Sequence, residues 1–454
     1  MEITETVTDG LKREFQVQVP ATDLRERLDQ RLVELKDRVQ LRGFRPGKVP
    51  VSHLRKLYGK QVMAETVDAL IRELNAKIVS ERGLRLAMEP KVTIPNEEAA
   101  VPKIIGGEID LAYTLALEVL PKVELADFKG ITLERLVADV TDEQVDAALA
   151  RIAEQNRPYS SKGEGAKVEN GDRAVIDFTG TIEGKPFEGG TGGDVNVEVG
   201  SGTFVPGMED QLIGMSVGEQ RRIKVTFPAQ YPNTHLAGKE VEFDVTLKAV
   251  EVPGTVTLDD AFAKSLGLDS LDKLKEAVKA QLQQEHAGLS RQRVKRQLLD
   301  KLDEMHKFAL PPTMAEQEFK NVWDAVDGEL KGQGRSFADE GTTEEKAREE
   351  YRGIAERRVR LGLVLAEIGE KNNITVSEDE IKRAILERAR QIPGREQQVW
   401  EYYSKNSEAV AGIRAPIFEE KVVDFLLELA KVTERKVTRK ELEEEAAAGE
   451  RPTV

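Results

Sequence analysis

The chain has 454 residues, enough for about three domains of ordinary size. Its 82 Asp and Glu outnumber 67 Lys and Arg for a formal charge of −15; 33% of it is charged and 5% aromatic, which predicts small cores, much solvated helix surface and an elongated molecule. Cysteine is absent, His53, His235, His286 and His306 are scattered, and no apolar run nears the ~18 residues of a membrane span; disulfides, thiolate chemistry, His-rich metal spacing and transmembrane helices are therefore excluded, no cofactor is expected, and a cytoplasmic protein is.

Residues 1–20 read as a hairpin about Asp9-Gly10, with Phe15, Val17 and Val19 alternating against Gln16 and Gln18. Leu24, Leu28, Leu32, Leu35 and Val39 have helical spacing and predict a helix over 21–41; a second runs from Leu54 to Ile78 and stops at Gly83. Leu111, Tyr113, Leu115, Leu117 and Val119 alternate as a strand, and strands flanking two helices make this unit α+β. Residues 141–155 form a helix with a Thr141/Gln144 capping box. Between Gly180 and Gly218 lie 11 of the 36 glycines, and strands are expected at Ala174–Phe178, Val195–Val199, Arg222–Phe227 and Glu242–Val250. From Thr257 the pattern is helical, with Pro311-Pro312 starting one helix and Thr342/Glu345 and Ser377/Glu380 as further capping boxes. The apolar face of the 141–155 helix needs partners that the later helices can supply, so the β domain reads as an insertion into a helical domain.

The stretch Lys36 to Lys60 holds eight basic residues and one acid, a local charge of +7. Its tip, Gly43-Phe44-Arg45-Pro46-Gly47-Lys48-Val49-Pro50, sets an aromatic among cations, with glycines for a tight turn and prolines to limit freedom. Cations can meet phosphate and Phe44 can fill an apolar pocket, a combination suited to a mixed RNA and protein surface. A solvated helix–loop–helix surface is the plain alternative. Gly-Phe-Arg-x-Gly-Lys-x-Pro resembles the ribosome-binding signature of the trigger factor family, bacterial ribosome-associated chaperones. The resemblance implies that Gly43, Phe44, Arg45, Pro46, Gly47 and Lys48 dock beside the nascent-chain exit tunnel. Many relatives carry Lys where Pro46 stands.

The blocks Ile176-Asp177-Phe178-Thr179-Gly180, Gly184-Lys185-Pro186-Phe187-Glu188-Gly189-Gly190, Gly200 to Glu209, Met215 to Glu219 and Val241 to Val245 resemble, in order, the FK506-binding (FKBP) type of prolyl isomerase. Rotation about X-Pro faces about 18–20 kcal/mol of amide resonance. An apolar, water-poor bowl favours the twisted, less dipolar amide over the planar one and needs neither nucleophile nor metal. The resemblance implies a bowl of Phe178, Phe187, Phe204, Val205, Met208, Tyr231 and Phe243. Glu188 would be the rim acid where simple members carry Asp, and Met208 stands where they carry Trp. Val199, Val225 and Val245 read as core, Leu236 as rim and His235 as a solvated loop residue.

The fold class is therefore multidomain α+β. A ribosome-binding α+β domain is expected over 1–115 and a linker with the first part of the helical domain over 116–157. An FKBP-like β domain with a short helix follows over 158–252, then the rest of a discontinuous all-α chaperone domain over 253–435 and a flexible tail over 436–454. The implied activity is ATP-independent binding of nascent and unfolded polypeptides together with X-Pro isomerisation. The implied partners are the large ribosomal subunit near its exit tunnel, through ribosomal protein and rRNA, and client chains, with a homodimer off the ribosome and no membrane contact. The rival readings are a dedicated isomerase with dimerising helices and a scaffold with an inactive isomerase fold.

Overall fold

The Asp9-Gly10 turn folds β1 (Glu2–Asp9) back on β2 (Lys12–Val19) in antiparallel register. The structure is a computed structural model describing residues 1–39, 41, 44, 48–163, 165–182, 184–205, 207–227, 236 and 238–448, without the side chains of residues 37, 38, 97 and 188. The chain continues as α1 (Ala21–Arg38), α2 (Val51–Glu81), β3 (Lys91–Thr93), α3 (Glu97–Ile105) and β4 (Leu111–Glu118), and the sheet has the order β1-β2-β4-β3. The alternation read in sequence is the burial pattern: Phe15, Val17 and Val19 of β2 and Leu111, Tyr113, Leu115 and Leu117 of β4 pack on Leu24, Leu28 and Leu32 of α1 and Leu54, Leu70, Leu74 and Ile78 of α2. Tyr113 keeps its hydroxyl satisfied by donating to Asn75 Oδ1 at 3.0 Å, and burial pushes its phenol up to about 12.

Next come β5 (Thr132–Val137) and α4 (Asp142–Gln155), whose capping box joins Thr141 and Gln144 as expected. The chain then enters a β domain: β6 (Tyr159–Ser161), β7 (Arg173–Ile182), β8 (Lys185–Glu198), the short α5 (Glu209–Leu212), β9 (Gln220–Thr226) and β10 (Glu240–Pro253). Strand β10 pairs antiparallel with β6, β7 and β9, and β7 with β8. Entry and exit are adjacent: Tyr159 pairs with Pro253, and Gly254 N–H donates to Pro158 O at 2.7 Å.

The remainder is α6 (Asp260–Ser265), α7 (Leu271–Met305), α8 (Pro312–Gly332), α9 (Glu344–Lys371), α10 (Glu378–Arg390), α11 (Glu396–Lys405), α12 (Ser407–Leu429), β11 (Lys431–Lys436) and α13 (Arg439–Ala447). Val145 and Leu149 of α4 pack with Phe262, Leu274, Val278 and Leu282, so the helical body draws on both sides of the β domain. Pro311 and Pro312 start α8, and the Ser377/Glu380 box caps α10. The other expected box is absent: α9 begins one residue later, and Thr343, not Thr342, makes a simple cap by accepting the N–H of Lys346, whose side chain has no acceptor to complete a box.

Two features were not foreseen. Within the stretch 436–454, expected as a flexible tail, lies the capped helix α13. Thr438 and Glu441 form a capping box, and Leu442 and Ala446, four residues apart, bury one row of α13 among many glutamates. Strand β11 pairs in parallel with β5, Lys431 opposite Thr132 through Lys436 opposite Val137. The other edge of β5 is closed by side chains from one face of α7. Gln297 accepts the Glu134 N–H at 3.1 Å, Arg293 donates to Glu134 O at 2.9 Å, Ser290 donates to Leu136 O at 2.5 Å, and His286 Nδ1 meets Ala138 O at 3.0 Å. The helix thus stands in for a third strand along residues 134–138.

The first body is fastened to the helical one by polar contacts. Glu118, at the end of β4, accepts the Thr313 N–H at 3.0 Å and the Thr313 hydroxyl at 2.6 Å, capping α8, which has no side-chain cap of its own. Arg85 pairs with Glu367 at 3.2 Å and Glu370 at 2.9 Å on α9. Among the described residues, no helix is long and apolar enough to cross a membrane.

Candidate active site and docking loop

Phe178 of β7, Phe187 of β8 and Phe243 of β10 are brought together by strand pairing, and Phe204 reaches them from the loop after β8. Phe178 stands edge-on to Phe204 at 5.9 Å and to Phe243 at 5.7 Å, and Phe187 edge-on to Phe243 at 6.4 Å. These T-shaped contacts match the ring quadrupoles and add about 0.5–1.5 kcal/mol each beyond burial.

Two glycines make room for them. Phe243 lies opposite Gly180, where a Cβ would stand 2.6 Å from Phe243 Cε1 and 2.9 Å from Phe187 Cε1. Phe178 lies opposite Gly192, where a Cβ would stand 2.7 Å from its Cε1. The register shift next to Phe178 is pinned from the outer face. Asp177 Oδ1 accepts the Asp194 N–H at 2.7 Å, and Lys248 bridges Asp177 at 3.0 Å and Asp194 at 2.8 Å. That N–H, and then the Lys248 cation, hold the Asp177 carboxyl below its ordinary range.

The expected residues divide by depth. Met208 is fully buried and Phe243 is 2% exposed; Phe178, Phe187, Phe204 and Val205 are half-buried. Val199, Val225 and Val245 lie in the core, as expected. Leu236, expected at the rim, is in the core as well, where it packs its apolar side chain with the other buried residues. Tyr231 and His235 lie outside the described residues, as does the Glu188 side chain. The result is an apolar cluster with partly exposed aromatic members, a surface that can take a proline ring out of water and disfavour the planar, dipolar amide next to it.

One residue of this region was quoted in the sequence motif but given no role. Glu209, at the start of α5, is 6% exposed. Its Oε2 accepts the N–H groups of Gly200 and Gly202, both at 2.9 Å, and its Oε1 that of Phe204 at 2.9 Å, with Ser201 Oγ at 3.5 Å. Burial pushes this carboxyl up, but the N–H groups of Phe204, Gly202 and Gly200 and the Ser201 hydroxyl outweigh it and hold the group below its ordinary range. An acid directly after the Gly-Met step, in a loop with too few side chains to satisfy its own backbone, was the available signal.

In the basic loop, Phe44 is 38% exposed with its ring 5.3 Å from that of His53, and Lys48 is exposed. Gly43, Arg45, Pro46 and Gly47 lie outside the described residues. Exposed apolar residues occur on α10, on α11 and between them: Leu386, Ile392, Trp400 and Tyr402 are 41–57% exposed, and Ile392 and Tyr402 line a 350 Å³ depression with Arg388, Arg395 and Val399.

Comparison with known proteins covers the whole chain. Residues 1–152 match the bacterial trigger factor protein model, 164–248 the FKBP-type peptidyl-prolyl cis-trans isomerase model and 270–428 the bacterial trigger factor C-terminus model. The chain is 61% identical to a trigger factor of Rhodopseudomonas palustris (strain HaA2) over 442 residues, covering 97% of this chain and 98% of that one. It is 60% identical to a trigger factor of Azorhizobium caulinodans over 451 residues, covering 99% and 100%. A solved trigger factor chaperone, described for promiscuous substrate recognition in folding and assembly, shares the fold at a TM-score of 0.53 and 21% identity over 94% of this chain and 99% of that one.

Proposed function

Because the chain belongs to the trigger factor family and carries an FKBP-type isomerase domain, we propose that it docks on the ribosome and shelters nascent polypeptides without ATP, isomerising X-Pro bonds as they emerge. The observation that carries the docking half is Phe44, exposed in the most basic stretch of an acidic chain. An exposed aromatic among cations has no use in a folded core; it can fill a pocket on ribosomal protein while the cations meet rRNA phosphate. Arg45 and Lys48 supply the cations by this reading, and Gly43, Pro46 and Gly47 the turn. The large subunit near its exit tunnel is the partner, the cytoplasm the compartment, and a homodimer the form away from the ribosome. The exposed Leu386, Ile392, Trp400 and Tyr402 support contact with unfolded polypeptide.

The isomerase half rests on the bowl of Phe178, Phe187, Phe204, Val205, Met208 and Phe243, with Tyr231 offering a hydroxyl to a substrate carbonyl and Glu188 at the rim. No sequence block resembles an ATP phosphate loop. Co-sedimentation with isolated large subunits tests the docking. Phe44→Ala with Arg45→Ala is expected to abolish pelleting while isomerisation of a proline tetrapeptide stays near wild type, and wild-type pelleting is expected to weaken steadily as salt rises. Unchanged pelleting of the double variant would move the docking away from this loop.

A further inference from the structure

We propose that Glu209 is a positioning residue for prolyl isomerisation: its carboxylate folds residues 200–205 so that Phe204 and Val205 stand as one wall of the bowl. This rests on the reading of the bowl as the isomerase site. The geometry is specific to a carboxylate. Three backbone N–H groups, from Gly200, Gly202 and Phe204, converge on two oxygens at 2.9 Å each. A carboxylate is acceptor-only with two oxygens, whereas an amide would offer one oxygen and turn an NH₂ toward donors.

The wall depends on this clamp. Phe204 contributes its own N–H to it while its ring meets Phe178 at 5.9 Å, and the Val205 carbonyl accepts the Met208 N–H at 3.0 Å, one residue before Glu209. The other bonds of the segment are local: Ser201 N–H to Glu198 O at 3.3 Å and Thr203 N–H to Ser201 Oγ at 3.2 Å. Ser201, Gly202 and Thr203 are exposed, and a side chain at Gly200 would run into Asn170. The groups facing Glu209 are neutral: the Ser201 hydroxyl and its bonded partner Thr203 from the loop, and Asn170 beneath Gly200. Asp210, next on α5, is exposed. Backbone dipoles therefore hold the charge, and their direction keeps Glu209 ionised below the ordinary glutamate value of 4.5. The sign follows: the wall is ordered throughout the neutral range and loosens as pH falls through the depressed value.

The test uses the full chain, labelled with ¹⁵N-Gly and ¹⁵N-Phe. The amides of Gly200, Gly202 and Phe204 are expected to titrate together with one midpoint below 4.5, and the titration to vanish in Glu209→Gln. On a peptide with an apolar residue before proline, Glu209→Gln is expected to lower kcat/KM about tenfold at neutral pH, the loss of one charge-assisted hydrogen bond or more. The gap between wild type and variant is expected to close as pH falls through that midpoint, with both proteins shown to remain folded across the range. Wild-type activity in Glu209→Gln alongside impaired Phe187→Ala would overturn the role of Glu209 and leave the bowl standing. Normal activity in both would remove the bowl reading itself. A variant deficit of the same size at every pH would also overturn the proposal. If Glu209→Gln does not fold, the wild-type titration decides, and three amides that do not move together overturn it.

Discussion

At the scale of single residues, the bowl makes a ranking of substitutions. Phe187→Ala removes a half-buried wall, readmits water and forfeits the edge contact with Phe243. It is expected to cost about tenfold or more in kcat/KM, or ~1.4 kcal/mol of transition-state stabilisation. If Tyr231 bonds a substrate carbonyl as proposed, Tyr231→Phe removes one hydrogen bond, worth on the order of 1 kcal/mol, and is expected to cost less. Glu188→Gln is expected to change the rate least, because desolvation needs no rim charge. Kinetics on folded variants decide the order; a larger loss for Glu188→Gln than for Phe187→Ala would place a carboxylate in the twisting step. The apolar members of the bowl were readable because family blocks mark them in order. The clamp under them was not, since Glu209 acts on main-chain N–H groups that carry no identity in a sequence.

At the scale of elements, legibility followed locality. The first hairpin, the box at Thr141 and Gln144 and the box at Ser377 and Glu380 each close within a few residues, and each stands where periodicity and capping chemistry put it. Strand β11 was illegible because Lys-Val-Thr-Glu-Arg-Lys has no apolar alternation; what holds it is β5, far away in the chain. Helix α13 was hidden in the same way, its buried row reduced to Leu442 and Ala446.

One capping box also sets an acid limit. The Ser377 N–H, then Lys421 and the Ser377 hydroxyl, lower Glu380 from 4.5 to about 2. Because the folded value is depressed, this support is complete above the ordinary glutamate range and is lost as pH falls from about 4.5 toward about 2. Lys421 Nζ lies 2.9 Å from Glu380 and so ties α10 to α12. Amide exchange of α10 is expected to speed up over that window in wild type and to show no such step in Glu380→Gln. A step of equal size in the variant would assign the acid sensitivity to another group.

At the scale of the whole molecule, the β domain can be treated as a module. Its two ends lie side by side, with Gly254 N–H on Pro158 O at 2.7 Å, and α4 packs on helices that follow the domain. Deleting 157–251 and joining the ends with a short Gly/Ser linker is expected to leave a cooperatively folding, ribosome-binding chain without isomerase activity. Circular dichroism through thermal unfolding and co-sedimentation measure this; loss of the cooperative helical transition would show that the helical body needs the β domain. The first body is held to the helical one by Glu118 and Arg85, polar contacts that leave its apolar core separate.

The β5–β11 pairing bears on how the protein is itself born. Thr433 bonds to Leu133 across 300 residues, so the ribbon can form only after almost all of the chain has left the ribosome that makes it. The first core, built from residues up to Val119, can condense early in translation. Between those two moments β5 has no β partner, and α7, which covers its other edge, follows it by more than 130 residues. Under the function proposed above, a newborn copy is thus itself a candidate client, incomplete until its last strand has been made.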